Sequence, residues 1–236
     1  MNLITLPISP RKISPEGELL GLTFPRFYEK IGVGNHGSVF RGVLDNQPVC
    51  FKAYNLLLVR LLTNPARSEF EALSQAQSDL YPLREHIQQG VGWYQHRGIG
   101  PVLVTRLVAD FDGQPSKSLL HTATITSEYM SKLTELVTLF PKYNLFFHAT
   151  PANILVQRVS PFENRPVLID LANYQREWRY IGHAIKSSVS SSARIQRIQR
   201  WADNTLQLAA RKVGAPICDN SSICDLRLPS LDPKQA

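Results

Sequence analysis

Long apolar runs are missing from this 236-residue chain. The longest, Leu56-Leu57-Leu58-Val59, meets Arg60 at once. A bilayer-crossing helix needs roughly 18–20 apolar residues, so no transmembrane segment is expected. Cysteine is scarce: Cys50, Cys218 and Cys224 make an odd set, which excludes a disulfide framework. Cys218 and Cys224 are also too widely spaced for a zinc-binding pair. No period of 20–50 residues recurs, which excludes a repeat array. Met1–Glu18 holds three prolines and no continuous apolar stretch, unlike a secretory signal. With the odd cysteine count, this leads us to expect a reducing, cytoplasmic setting. Charge excess is small: 26 Lys+Arg against 19 Asp+Glu give +7. That permits phosphate-rich partners and demonstrates none. What is present is a 43% hydrophobic fraction with 19% charged residues, enough to fill a core and to exclude disorder throughout.

Along the chain the pattern changes several times. Residues 1–22 read as a mobile or surface-lying arm. Tyr28–Ile31, Ser38–Val43 and Val49–Tyr54 read as three short strands, with Asp45-Asn46 as a turn signal. Pro65 opens a helix whose Phe70, Leu73, Ala76 and Leu80 share one face, with Asn64 as its cap and Pro82 as its stop. Gly90, Gly92, Gly98 and Gly100 make a glycine-rich region, and Val102–Val108 reads as a buried strand. A second helix spans Ser127–Phe140, capped by Ser127 and stopped by Pro141. Ile154–Val156 and Val167–Ile169 read as a hairpin. Residues 176–213 look helical again, with Trp178, Ile181 and Ile185 on the first part, and 214–236 form a tail. The order is α+β, with a β-rich N-lobe over 23–108 and a reduced, mostly helical C-lobe with the hinge over 109–213.

Gly32-Val33-Gly34-Asn35-His36-Gly37-Ser38-Val39 fits G-x-G-x-x-G-x-V. A dinucleotide fold needs a helix directly after these glycines. Here a strand pattern follows, as in the loop that covers ATP phosphates in kinases. A plain glycine hairpin is the competing reading. Lys52 lies on the next strand within Val49-Cys50-Phe51-Lys52, which fits V-A-I-K. A lysine on an apolar strand must leave by an edge or meet an anion. In kinases it holds phosphates and is oriented by a helix glutamate. Glu69 is the preferred candidate, because Leu73 follows it by one turn; Glu71 is the alternative.

Downstream, Pro151-Ala152-Asn153-Ile154-Leu155-Val156 resembles the kinase segment in which an asparagine holds Mg²⁺. Asp170 ends the next apolar run, where kinases carry the aspartate of D-F-G. Asp110-Phe111-Asp112-Gly113 precedes the Asn153 loop and is therefore read as hinge, not as the metal loop. The chain resembles the protein-kinase-like superfamily over about Ile31 to Ala172. Ala109–Ser116 with Pro151–Leu155 further resembles the bacterial YrbL family, named for a PhoP regulatory network. The resemblance implies a bilobal fold that binds ATP and Mg²⁺. Gly32, Gly34, Gly37 and Val39 would cover the nucleotide, Lys52, oriented by Glu69, would hold its phosphates, and Asn153 and Asp170 would take the metal.

The departures bear on turnover. Five residues before Asn153, where kinases carry the catalytic aspartate, stands His148. Phe146-Phe147 replaces His-Arg, and Thr150 replaces the usual lysine. A neutral imidazole can accept a proton but brings no negative charge. His148 is therefore a substitute base, a structural histidine or part of a pseudokinase site. Three functions stay open: a phosphotransferase to a hydroxyl on a protein or small molecule, with Lys52 and His148 as its catalytic residues; an inactive pseudokinase that regulates a partner; or a basic binder of nucleic acid or a membrane surface. Arg194, Arg197, Arg200 and Arg211-Lys212 make a basic helical face, open to an anionic surface; nucleic acid is not the expected partner.

Overall fold

Apolar alternation along 37–54 builds the centre of a sheet. The computed structural model describes residues 12–20, 29–34, 37–54, 64–79, 81–142, 150–171 and 191–213. Its strands are β1 (Lys12–Ile13), β2 (Leu19–Leu20), β3 (Glu29–Gly34), β4 (Gly37–Leu44), β5 (Gln47–Tyr54), β6 (Gly90–His96), β7 (Gly100–Arg106), β8 (Lys117–Ser118), β9 (Ile154–Arg158) and β10 (Asn164–Leu168). Its α-helices are α1 (Pro65–Asp79), α2 (Ser127–Lys142) and α3 (Ser191–Ala210). The class is α+β. A five-stranded sheet runs β3-β4-β5-β7-β6 with antiparallel neighbours, and a three-stranded sheet runs β10-β9-β8. Asp45 and Asn46 both take positive φ, 49° and 60°. This is the two-residue turn whose twist suits a hairpin.

Alternation gives the large sheet two apolar faces. Val49 and Phe51 of β5 pack with Val102 and Val104 of β7, Tyr94 and Leu19 on one face. Tyr54, Leu103 and Trp93 face the other way, into a core shared with α1, α2, α3 and both long strands of the small sheet. Helix α1 buries Ala66, Glu69, Ala72, Leu73 and Ala76, one stripe at helical spacing. The Asn64 side chain accepts a hydrogen bond from Arg67 N at 2.9 Å, so the expected cap forms.

Several expectations change. The α2 cap is Thr126, whose Oγ1 accepts from Tyr129 N at 3.1 Å, one residue before the expected Ser127. Pro141 does not stop α2 at Phe140; the helix runs to Lys142. A proline this close to the helix end removes few ladder bonds. Part of the glycine-rich region is an edge strand, β6, where Gly90 and Gly92 make room for neighbours. A Cβ on Gly92 would lie 2.6 Å from Gly17 O, and one on Gly90 would lie 3.0 Å from the Phe70 ring. Part of the arm is likewise built in. β1 and β2 pair, Gly17 O accepts from Trp93 N at 3.0 Å, and Leu19 is buried. Trp178, Ile181, Ile185 and the 214–236 tail lie outside the described residues. Among the described residues, no helix is long and apolar enough to cross a membrane.

Candidate functional site

Strand register sets the site. Val39 of β4 and Leu103 of β7 flank Lys52 of β5 as direct cross-strand partners. Residues so paired project to the same face. Lys52 therefore stands on the face that carries Leu103, the face against which α1 packs. Two residues on, Tyr54 projects the same way.

Helix α1 brings Glu69 to that lysine. Lys52 Nζ donates to both Glu69 oxygens, at 2.9 and 2.8 Å. Tyr54 OH donates to Glu69 Oε2 at 2.7 Å. Lys52 Nζ also donates to Asp170 Oδ1 at 2.6 Å, a contact spanning 118 residues of sequence. Side-chain exposure grades across the three groups: 3% for Glu69, 16% for Lys52 and 34% for Asp170. The ammonium thus joins an interior carboxylate to one that meets solvent. Glu71 points elsewhere, accepting from Arg67 Nε at 2.9 Å one helical turn away.

Electrostatics follow from this grading. Burial works to lower the Lys52 pKa, but Glu69 and then Asp170 outweigh it, so the net shift is upward and the ammonium stays charged. Burial pushes the Glu69 carboxyl up, and the charge of Lys52 and the hydrogen bond from Tyr54 oppose that only in part. The charge on Glu69 depends on keeping those two partners.

Asp170 is held in an uncommon conformation, φ 58°, which short polar side chains tolerate better than most. Its neighbours fix it from both sides. Ile169 N donates to Asn153 O at 2.9 Å, Asn153 N donates to Thr150 O at 2.9 Å, and Leu171 is buried in the core. Asn153 closes a short 3₁₀ turn (Pro151–Asn153) at the head of β9. The residues read as a metal pair are therefore tied across the β9–β10 hairpin.

The glycines lie at the end where β3 passes into β4, with Gly32 opposite Val39 and Gly34 opposite Gly37. Gly37 is required by packing: a Cβ there would lie 2.2 Å from Ala53 O. Gly32 and Gly34 have no such demand, since their nearest contacts would be at 3.8 and 4.0 Å. Asn35, His36 and His148 lie outside the described residues.

The rejected Asp110–Gly113 segment is a structural tie. The Asp110 carboxylate accepts from Ser116 Oγ at 2.7 Å and from Arg158 N and Nε at 3.0 and 2.7 Å; Asp112 accepts from Arg158 Nη2 at 2.6 Å. Partial burial works to raise the Asp110 pKa, but the bonds from Ser116 and Arg158 outweigh it and hold it below the ordinary value. Cys50 is buried, and burial pushes its thiol up to about 12. Tyr54 is the site residue that sequence reasoning passed over. The period-two rule that placed Lys52 facing α1 also places Tyr54 there. The chain matches no family model, and no curated protein matches it.

Proposed function

We propose that this chain is a kinase-like protein that binds ATP with Mg²⁺ beside Lys52. One observation carries the reading: Lys52 joins Glu69 of a packed helix to Asp170 of a distant loop, at 2.8 and 2.6 Å. A lysine so placed neutralises an interior glutamate while keeping a face toward a phosphate. The order of the large sheet, with one helix against it and the helical part after it, supports the bilobal arrangement that goes with this reading. The open edge at Gly32 and Gly34 supports a backbone approach to phosphate oxygens.

The donor set fits Mg²⁺. That ion takes hard oxygen ligands, often one or two protein groups, with phosphates and waters completing its shell. Asn153 and Asp170 supply one amide oxygen and one carboxylate on neighbouring turns. Among the described residues no three His, Cys, Asp or Glu side chains gather to hold a metal without such help. Bound Mg²⁺ would supply charge neutralisation on the phosphates. The protein's own part is to fix Asp170 through Asn153 and Leu171, and to hold Lys52 through Glu69 and Tyr54.

His148 separates two versions of the reading. A phosphotransferase needs it to accept the proton of an acceptor hydroxyl; a pseudokinase needs only the bound nucleotide to set the shape shown to a partner. We also propose the narrower relation to the bacterial YrbL family. The segment Ala109–Ser116 that carries that likeness ties the β7–β8 connection to β9, so it bears on construction more than on substrate.

Calorimetric titration with ATP, with and without Mg²⁺, tests the reading on wild type, Lys52→Met and Asp170→Asn. The expected result is Mg²⁺-dependent binding, weakened about tenfold or more in either variant. Equal affinity in all three proteins would sink it. Phosphate transfer that disappears in Lys52→Met would select the enzyme, and binding with no transfer the pseudokinase.

A further inference from the structure

Apart from the Lys52 site, a cleft of about 480 Å³ opens where α1, the 3₁₀ turn Tyr81–His86, the end of β7 and the β9–β10 hairpin meet. None of Lys52, Glu69, Asn153 or Asp170 lines it. Its size falls within the range of ordinary small-ligand sites. Three arginines line it from three separate elements: Arg84, Arg106 and Arg165. Glu85 is the one carboxylate in the lining.

Its hydrogen-bond inventory is lopsided. Many wall acceptors are already occupied. Gln88 O accepts from Gln77 Nε2 at 3.3 Å, Arg106 O from Gln88 Nε2 at 3.2 Å, and Gln89 O from Arg106 N at 2.8 Å. Gln157 Oε1 accepts twice from Arg165, at 3.1 and 2.7 Å, and Glu85 Oε2 accepts from Arg165 Nη1 at 2.9 Å. Arg165 is thereby held rigid in the wall with part of its five-donor fork still unused. Among the described residues, Arg84 and Arg106 have no carboxylate partner; Arg84 stacks its guanidinium 4.8 Å from the Tyr81 ring centre. Beside the side-chain amides of Gln77, Gln88 and Gln89, the wall offers a guest three guanidinium groups against one carboxylate, above the apolar side chains of Ile87 and Val167.

From this surplus we infer that the cleft is a binding site for a small, multiply charged oxyanion, separate from the Lys52 site. Guanidinium forks match such oxyanions in geometry as well as charge. A rigid Arg165 offers a preformed edge, and Arg84 and Arg106 can close on a guest from the other two elements.

Inorganic pyrophosphate, titrated calorimetrically without Mg²⁺ at fixed ionic strength, is the probe. The Lys52 site is first removed as a neutral unit in Lys52→Met/Glu69→Gln, with circular dichroism confirming the fold. Binding should persist in that protein and weaken about tenfold when Arg106→Gln is added. The main-chain bonds of Arg106 do not involve its side chain, so the fold should survive. If it does not, the exposed Arg84→Gln is judged by the same criterion. Absence of binding once Lys52 is gone, or affinity unchanged by the arginine substitution, overturns the inference. Either result leaves the ATP reading standing, because that reading is judged by Mg²⁺-dependent binding of ATP and its loss in Asp170→Asn.

Discussion

Glu69 is an acid in the interior whose charge is balanced chiefly by one neighbour. Burial raises its pKa, and Lys52 is the larger of the two forces pulling it back. A carboxyl with a raised folded-state pKa contributes stability that is full below its unfolded value, near 4.5. That contribution is lost as pH rises through the folded value. Lys52→Met removes the counter-charge and moves the folded value higher still. Its melting temperature should therefore fall from pH 5 to pH 8 more steeply than that of wild type. Adding Glu69→Gln should abolish the extra slope, since an amide does not titrate. Parallel slopes for the single and double variants would show that Glu69 has another source of charge balance. This residue-scale arrangement was largely legible in advance. Lysine on an apolar strand and glutamate on an apolar helix face are each costly alone, and the cost of each points to the other. The contact with Asp170 was less so, because nothing local couples two positions 118 residues apart.

At the scale of elements, helices were easier to read than edges. The periodic faces of α1 and α2 are properties of their own sequences, so their cores and the α1 cap were found, and only the α2 cap and the helix ends moved by a residue or two. Strand β6 was missed because its glycines answer to residues far away. Gly92 yields to the main chain of Gly17, and Gly90 to the Phe70 ring. The β1–β2 hairpin was missed for the matching reason: its docking depends on Trp93, whose indole donates to Glu16 O at 3.0 Å. Gly17 itself touches Phe70, the residue after Glu69, and φ there is 80°. The hairpin is thus a clasp across the β6 edge onto α1. Gly92→Ala would force a methyl to 2.6 Å from Gly17 O and 2.8 Å from Leu19. Overpacking of this kind costs about 1–3 kcal/mol. Amide exchange should quicken at residues 14–20 first, ahead of α2. Unchanged protection there would mean that the clasp does not rest on β6.

For the whole molecule the question is whether sheet and helices unfold together. Their apolar residues form one cluster: Tyr54 and Leu103 of the large sheet, Leu73 of α1, Tyr129 and Leu133 of α2, Ile154 and Leu168 of the small sheet, Ala202 and Ala209 of α3. The Lys52–Asp170 contact spans the same junction, so a site built this way requires both parts to be in place at once. Leu133 is fully buried, and truncating such a leucine to alanine costs about 2–5 kcal/mol. If the core is one cooperative body, Leu133→Ala in α2 should lower amide protection in β5 and β7 by the same free energy as in α2. Trp93 in β6 and Trp201 in α3 should then report a single melting transition. Two transitions, with only the helical one displaced, would mean that the parts fold independently and that the Lys52–Asp170 pair joins bodies free to separate. In that case ATP, if it seats at Lys52 as proposed, would be expected to restore the single transition, because a ligand seated on both sides of the junction stabilises only the closed form.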